Sequence, residues 1–283
     1  MRMIQKIPTL TADAVVLDLE DSIAMADKDT ARVFIRDSLG TVGSGSAEVY
    51  VRVNGFTTGF TAQDCEFIVQ KGLAGIVLPK VESKNEVLQA ERILNKLEKK
   101  RRIKRLPLIP TLETAKGIAN AYAIAAASKR SIALGFGAVD YTRDMGSSLS
   151  KEGTELFVAR SLTAIAARAA GVQALDTVFI DLADKEGLLK DSQLARQLGF
   201  KGKFLIHPNQ IGPVNQAFSP STKEIEYAKE IVQAYKEAEA RGAGAASLKG
   251  RMIDAPVYQQ AQDLLSLADA IAEKQAKQES IPS

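Results

Sequence analysis

Polar side chains recur at one kind of position in this sequence, the end of an apolar run or the few residues after it. The set comprises Asp18, Glu20 and Asp21; Arg52 and Asn54; Lys80 and Glu82; Glu113; Asp140; Asp181; and His207 and Asn209. Glu113 closes LPLIPTLE and Asp140 follows LGFGAV, so two carboxylates end successive runs. On neighbouring parallel strands, about 4.8 Å apart, such a pair can share one cation. An all-oxygen pair with few other ligands suits Mg²⁺, which keeps several waters and completes its shell from substrate. Zinc is disfavoured by the single His and single Cys. A Ser-His-Asp or Cys-His arrangement would have to use His207, which has no nucleophile motif near it. The alternatives are a helix N-terminal acid for Glu113 and a turn or cap residue for Asp140.

Arg52 stands inside VYVRVNG, where a strand interior should be apolar. A planar, permanently charged fork suits a two-pronged grip on a substrate carboxylate. The competing reading is a structural pair with Asp18, Glu20 or Asp21. Glu20, Asp21 and Lys80 are candidate substrate-binding residues, or else partners that orient one another and Arg52. His207, in LIHPNQ, reads as a rim histidine held by hydrogen bonds before it reads as a base.

The elements that must position these groups are seven apolar runs: 13–20, 48–54, 74–80, 106–113, 131–137, 176–181 and 203–208. Most are continuous rather than alternating, as suits strands buried on both faces. The gaps hold helices, for example over 31–39, 62–71 and 84–99, so the pattern is that of βαβ units and a parallel sheet. A doubly wound sheet would place a glycine-rich loop after its first strand, but DLEDSIAMADKD contains no glycine. The Gly-Ser cluster 40–46 precedes a strand and reads as a plain turn. Polar groups at strand C-termini are the mark of an α/β TIM (β/α) barrel. Seven runs fall one short of closure, so the expectation is a barrel lacking its first strand.

After the barrel, taken as residues 1–219, a C-terminal helical lid extension is expected over 220–283. Residues 221–241 form an amphipathic helix with Ile225, Ala228, Val232 and Tyr235 on one face. GAGAASLKG (242–250) is too glycine-rich for a helix and is expected as a flexible loop, followed by GRMIDAP and a helix over 257–271. On the residues alone, Asp254 is the cap of that last helix ahead of Pro256.

Bulk properties narrow the class. At 283 residues, 46% hydrophobic and 25% charged, the chain is an ordinary globular protein. The pI of about 8.8 traces to KLEKKRRIKR (96–105); without that run, 30 basic residues face 33 acidic ones. The run has no interleaved aromatics and reads as a solvated helix end, which argues against nucleic acid. No apolar stretch reaches the roughly 18 residues of a membrane span. The start lacks a secretory leader, and the lone Cys65 fits a reducing compartment, so the expectation is cytoplasmic.

LDLEDSIAMADKDTAR, VYVRVNG, GIVLPKVES, LIPTLETAKGI, LGFGAVDYTRDMG, GTELFVAR, ARAAGVQALDTVFID, LGFKGKFLIHPNQI and GRMIDAPV occur in this order along nearly the whole chain. Together they resemble the citrate lyase β-subunit and malyl-CoA (citramalyl-CoA) lyase superfamily, of the HpcH/HpaI aldolase kind. The resemblance implies a Mg²⁺-dependent lyase that cleaves the carbon–carbon bond of a 3-hydroxyacyl thioester, citryl, citramalyl or malyl, to a 2-keto acid and an acyl thioester. It implies that Glu113 and Asp140 hold the metal and that Arg52 holds the substrate carboxylate, with Glu113 touching substrate as well. It further implies that Asp254 is an acid carried by the extension over a neighbouring subunit's site, in a homo-oligomer (trimer or hexamer). The sequence leaves open whether the carrier is CoA or acyl carrier protein, and whether citrate lyase α and acyl-carrier subunits are partners. Two departures stand out. The first strand of the family is missing before Arg2-Met3, and Val139 stands where citrate lyase β-subunits often carry Glu. The rival functions are a thioesterase on the same site and a non-catalytic relative that binds CoA or a partner.

Overall fold

Seven strands pair in sequence order into one parallel sheet. In the computed structural model, which describes residues 4–42 and 47–279, they are β1 (Ala14–Asp18), β2 (Glu48–Arg52), β3 (Gly75–Leu78), β4 (Leu108–Leu112), β5 (Ala133–Phe136), β6 (Gln173–Asp176) and β7 (Gly202–Lys203). Every residue of β3, β4 and β5 is buried, which explains their continuously apolar sequences. Between strands run α1 (Lys28–Val42), α2 (Thr61–Ile68), α3 (Lys84–Arg101), α4 (Ala115–Ala119), α5 (Ala121–Ala125), α6 (Ala138–Asp144), α7 (Phe157–Ala170) and α8 (Lys185–Leu198); α9 (Ile211–Phe218) follows β7. The sheet curls into a half-barrel surrounded by helices. All strand C-termini therefore point to one rim, and the unreversed order excludes a doubly wound sheet.

The row of strands is open. Among the described residues β1 pairs only with β2, and β7 only with β6. Residues Ile4–Thr9 form a 3-10 helix and not a strand; Arg2 and Met3, like 43–46 of the Gly-Ser cluster, lie outside the described residues.

The last two strands are shorter than their apolar runs. The run 176–181 belongs to β6 only at Asp176, because β6 occupies 173–176, and Ile180 is exposed. The run 203–208 contributes only Lys203 to β7. A strand with a neighbour on one side has half the ladder to hold it, and at Pro208 the chain turns into a 3-10 helix capped by His207. In the middle of the sheet, Pro110 has no N–H to give to a ladder. Between the Leu108–Ser131 bridge and the Thr111–Gly135 pair, β4 advances three residues while β5 advances four, a bulge beside that proline.

The chain divides into two compact units between Val214 and Asn215. The second contains α10 (Thr222–Ala240), β8 (Ala246–Leu248), β9 (Arg251–Ile253) and α11 (Ala255–Glu279). Ser221 and Glu224 close a capping box on α10. The glycine-rich segment expected as a flexible loop instead supplies β8 of an antiparallel hairpin with β9. Its turn residues, Lys249 and Gly250, have φ of 51° and 78°, the left-handed pair that a two-residue hairpin turn needs. Ala228, Ile231, Ile253 and Ala261 form this unit's core, beside a Tyr235–Tyr258 stack with centroids 4.5 Å apart.

Candidate functional site

On the rim, β1 and β2 place Asp18 directly opposite Arg52 in the parallel register. Arg52 donates from Nε and Nη2 to the two Asp18 oxygens at 2.7 and 2.6 Å, and its Nη1 lies 3.0 Å from Glu20 Oε2. The structural pair that competes with substrate for Arg52 is therefore present. The Asp18 pair uses the side-on edge of the fork; the end-on edge makes no hydrogen bond among the described residues, although Glu20 stands close to Nη1. Burial works to raise the Asp18 pKa, but Arg52 together with the N–H groups of Glu20 and Ser22 holds it at about 2.

Lys80 follows β3 in the left-handed conformation, φ 52°, which is costly for a residue with a side chain. From there its ammonium donates to Glu20 Oε1 at 2.5 Å and to Asp21 at 2.9 and 3.1 Å, and lies 3.6 Å from Asp140 Oδ2. Its backbone N–H faces Glu113 Oε1 at 3.4 Å. Burial works against the charge on Lys80, but the surrounding carboxylates raise its pKa above the ordinary lysine value. One strained residue thus touches both proposed metal ligands, Glu113 through its backbone and Asp140 through its side chain.

Glu113 is 5% exposed. Its Oε1 accepts from the Thr111 hydroxyl at 2.5 Å, and Oε2 has no hydrogen-bond partner among the described residues. Burial, reinforced by the charges of Glu20 and Asp140, raises its pKa to about 7 against the opposing pull of Thr111 and Lys80. Gly137 makes room for it: a Cβ there would stand 2.7 Å from Glu113 Cγ. Asp140 sits in the first turn of α6, with Oδ1 2.8 Å from Nη2 of the exposed Arg143.

The donor set fits Mg²⁺. Among the described residues no three His, Cys, Asp or Glu side chains converge as a metal-ligand set. A cation here would take two carboxylates from the chain and the rest from water and substrate, the habit of Mg²⁺ and not of Zn²⁺. Charge points the same way. Asp18, Glu20, Asp21, Glu113 and Asp140 face only Arg52, Lys80 and Arg143. With all five ionised two negative charges are left over, and those of Glu20 and Asp140 add to burial in raising the pKa of Glu113.

Other predicted residues of the first unit lie outside this cluster. His207 is exposed, its Nδ1 accepting from Asn209 N–H at 3.1 Å. It lines a cavity of about 250 Å³ with Asp181, Lys185 and Gln210, among others. Asn54 is buried and bound to Asp64, which pairs with Arg32 and so anchors the end of β2. The basic run 96–105 ends α3 and leads into β4, at the opposite end of the strands from the rim. Asp254, in the second unit, caps α11, its Oδ1 accepting from Val257 N–H at 3.2 Å. Thr111, Gly137 and Lys28 do not stand out in the sequence. Thr111 is legible in hindsight, being two residues before Glu113 and so on the same strand face; the other two leave no signal.

The family described as HpcH/HpaI aldolase/citrate lyase matches residues 1–208. Citrate lyase subunit beta of Leuconostoc mesenteroides subsp. cremoris is 42% identical over 261 residues, covering 92% of this chain and 86% of that one. The human mitochondrial citramalyl-CoA lyase is 37% identical over 284 residues, covering 96% and 84%. Among solved structures, protein CitE of Mycobacterium tuberculosis in complex with magnesium, acetoacetate and coenzyme A has a TM-score of 0.75 at 32% identity, covering 91% of this chain and 90% of that one.

Proposed function

This chain belongs to the HpcH/HpaI aldolase/citrate lyase family, and on that premise we propose that it is a Mg²⁺-dependent carbon–carbon lyase acting on a 3-hydroxyacyl thioester. The observation that carries the reading is the rim cluster, in which buried Glu113 and neighbouring Asp140 sit in an excess of negative charge. Magnesium held by these two residues would supply a Lewis acid that polarises the substrate hydroxyl and lowers its pKa. The end-on edge of Arg52 grips the substrate carboxylate, fixed in direction by Asp18. Glu20 and Asp21 hold Lys80 toward the same carboxylate. In the reaction the hydroxyl gives up its proton to solvent, the carbon–carbon bond breaks and a keto group forms. The bonding pair passes to the thioester enolate, which is then protonated on carbon. Asp254, delivered by a neighbouring copy in a homo-oligomer, is the acid we assign to that step, worth about 10²–10⁴-fold.

Relatives named citrate lyase subunit beta and citramalyl-CoA lyase support citryl- or citramalyl-thioester as substrate, on CoA or a carrier protein. The products are a 2-keto acid and an acyl thioester. Buried, unpaired Cys65 suits a reducing compartment such as the cytoplasm.

The test is incubation with citryl-, citramalyl- and malyl-CoA, with and without Mg²⁺, following both the keto acid and the thioester. Magnesium-dependent release of keto acid with an intact acyl thioester supports the lyase. Loss of the thioester points to a thioesterase, and no turnover of any substrate overturns the reading. The role of Asp254 has its own test. Glu113→Ala and Asp254→Ala proteins should each be nearly inactive yet regain part of the activity when mixed and reassembled. No recovery despite subunit exchange removes Asp254 from a neighbour's site.

A further inference from the structure

Lys28, the first residue of α1, is 7% exposed, and its Nζ donates to the backbone carbonyls of Leu19 at 2.6 Å and Glu20 at 2.7 Å. Three physical effects oppose a lysine there. A buried ammonium loses its hydration, and no carboxylate compensates it among the described residues. A cation at a helix N-terminus also meets the positive end of the macrodipole. What the ammonium does in return is fix two consecutive carbonyls of the segment that leaves β1. That segment is tied on its other side as well, since Leu19 N–H donates to Arg52 O at 2.9 Å. With its backbone held from α1 and β2, Glu20, itself 4% exposed, extends its carboxylate between Lys80 Nζ at 2.5 Å and Arg52 Nη1 at 3.0 Å.

We infer that Lys28 is a positioning residue for the substrate-carboxylate end of the site, acting through the Leu19 and Glu20 carbonyls to set where Glu20 stands between Arg52 and Lys80. The inference rests on the proposed function, in which Arg52 and Lys80 meet the carboxylate of a 2-keto acid. Lys28 itself touches neither substrate nor metal. A displaced Glu20 would close further on Arg52, or release Lys80, and either change alters what remains for the ligand.

The experiment is calorimetric titration of oxaloacetate in saturating Mg²⁺ into the full-length protein and into Lys28→Met, Glu20→Gln and the double variant. Methionine keeps the stem and removes the donor. Lys28→Met is expected to weaken oxaloacetate binding about tenfold, equivalent to about 1.4 kcal/mol, to raise KM more than it lowers kcat, and to leave Mg²⁺ binding unchanged. In the Glu20→Gln background the same change should cost less than about twofold, because its effect passes through Glu20. Lys28→Gln, which keeps a donor of shorter reach, should fall between, and it carries the test if Lys28→Met does not fold. Unchanged oxaloacetate binding in the Lys28 variants, or equal losses in both backgrounds, overturns the inference alone. No Mg²⁺-dependent binding of oxaloacetate to the unaltered protein overturns the reading of the site and the inference with it.

Discussion

Two clusters of acids and bases in this chain are built from the same chemistry to opposite ends. Behind the sheet, Arg160 binds both oxygens of Asp176 at 3.0 and 2.7 Å and reaches Asp191 at 2.8 Å, while Lys203 lies 2.6 Å from each aspartate. Two cations meet two anions. Burial works to raise the Asp191 pKa, but Lys203 and Arg160 bring it below the ordinary value. On the rim, five carboxylates face three cations, and one of the two buried ones, Glu113, is pushed up to about 7. Balance marks the cluster that holds helices to sheet. Imbalance marks the one that we propose a cation completes.

The comparison breaks most sharply at its two centres. Asp176→Asn leaves the buried Arg160 and Lys203 to share Asp191 as their remaining charge partner and should cost about 3 kcal/mol of stability, read by urea unfolding. Glu113→Gln should do the reverse, keeping or raising stability at pH 8 while abolishing Mg²⁺-dependent turnover and the thermal shift on adding Mg²⁺. If Glu113→Gln unfolds the protein and Asp176→Asn does not, the assignment of the two clusters is inverted.

Gly137→Ala comes next. Its methyl would meet Glu113 Cγ at 2.7 Å, so the carboxylate must shift, and kcat/KM should fall about 10²-fold, as misplacement by about an ångström can cost. The melting temperature should move little.

The effect of pH is smaller but directional. The folded-state pKa of Glu113, about 7, lies above its ordinary value of 4.5. The folded protein therefore holds this proton more tightly than the unfolded chain. The stabilisation is fully present below about 4.5 and is lost as pH rises through about 7. If Glu113 holds Mg²⁺ as proposed, the cation has to displace that proton, so the Mg²⁺-induced rise in melting temperature should be larger at pH 8 than at pH 6. Asp18 has the opposite sign: lowered from 3.8 to about 2, it stabilises above 3.8 and loses that contribution only as pH falls through about 2. The smallest effect is expected for Asp21→Asn. The Asp21 side chain is 55% exposed, and its pair with Lys80 should be worth about 1 kcal/mol or less, a few-fold change in KM.

Much of the rim is legible in the amino-acid sequence, because strand ends announce themselves. Asp18, Arg52, Lys80, Glu113 and Asp140 each stand where an apolar run meets a polar residue, and the parallel order then places them on one rim. The pairing of Arg52 with Asp18 is open in the sequence, since Glu20 and Asp21 are equal candidates; the β1–β2 register decides it. The ends of β6 and β7 do not follow from their apolar runs, because those runs continue past the last paired neighbour. The hairpin at 246–253 is hidden because glycines that exclude a helix also permit a left-handed turn. Lys28 has no signature at all: its role lies in two backbone carbonyls, and those leave no letter in a sequence.

The bulge beside Pro110 has a consequence for how the molecule comes apart. Where the β4–β5 ladder is interrupted, the sheet becomes two hydrogen-bonded halves, β1–β4 and β4–β7, sharing one strand. In hydrogen exchange such halves can behave as separate foldons. Glu20, Arg52 and Lys80 belong to the first, Asp140 to the second, and Glu113 ends the shared strand. Opening of either half dismantles the rim while the other still stands. Activity should therefore disappear at lower urea than the far-ultraviolet circular dichroism signal, and the β6–β7 amides should exchange with solvent before those of β3.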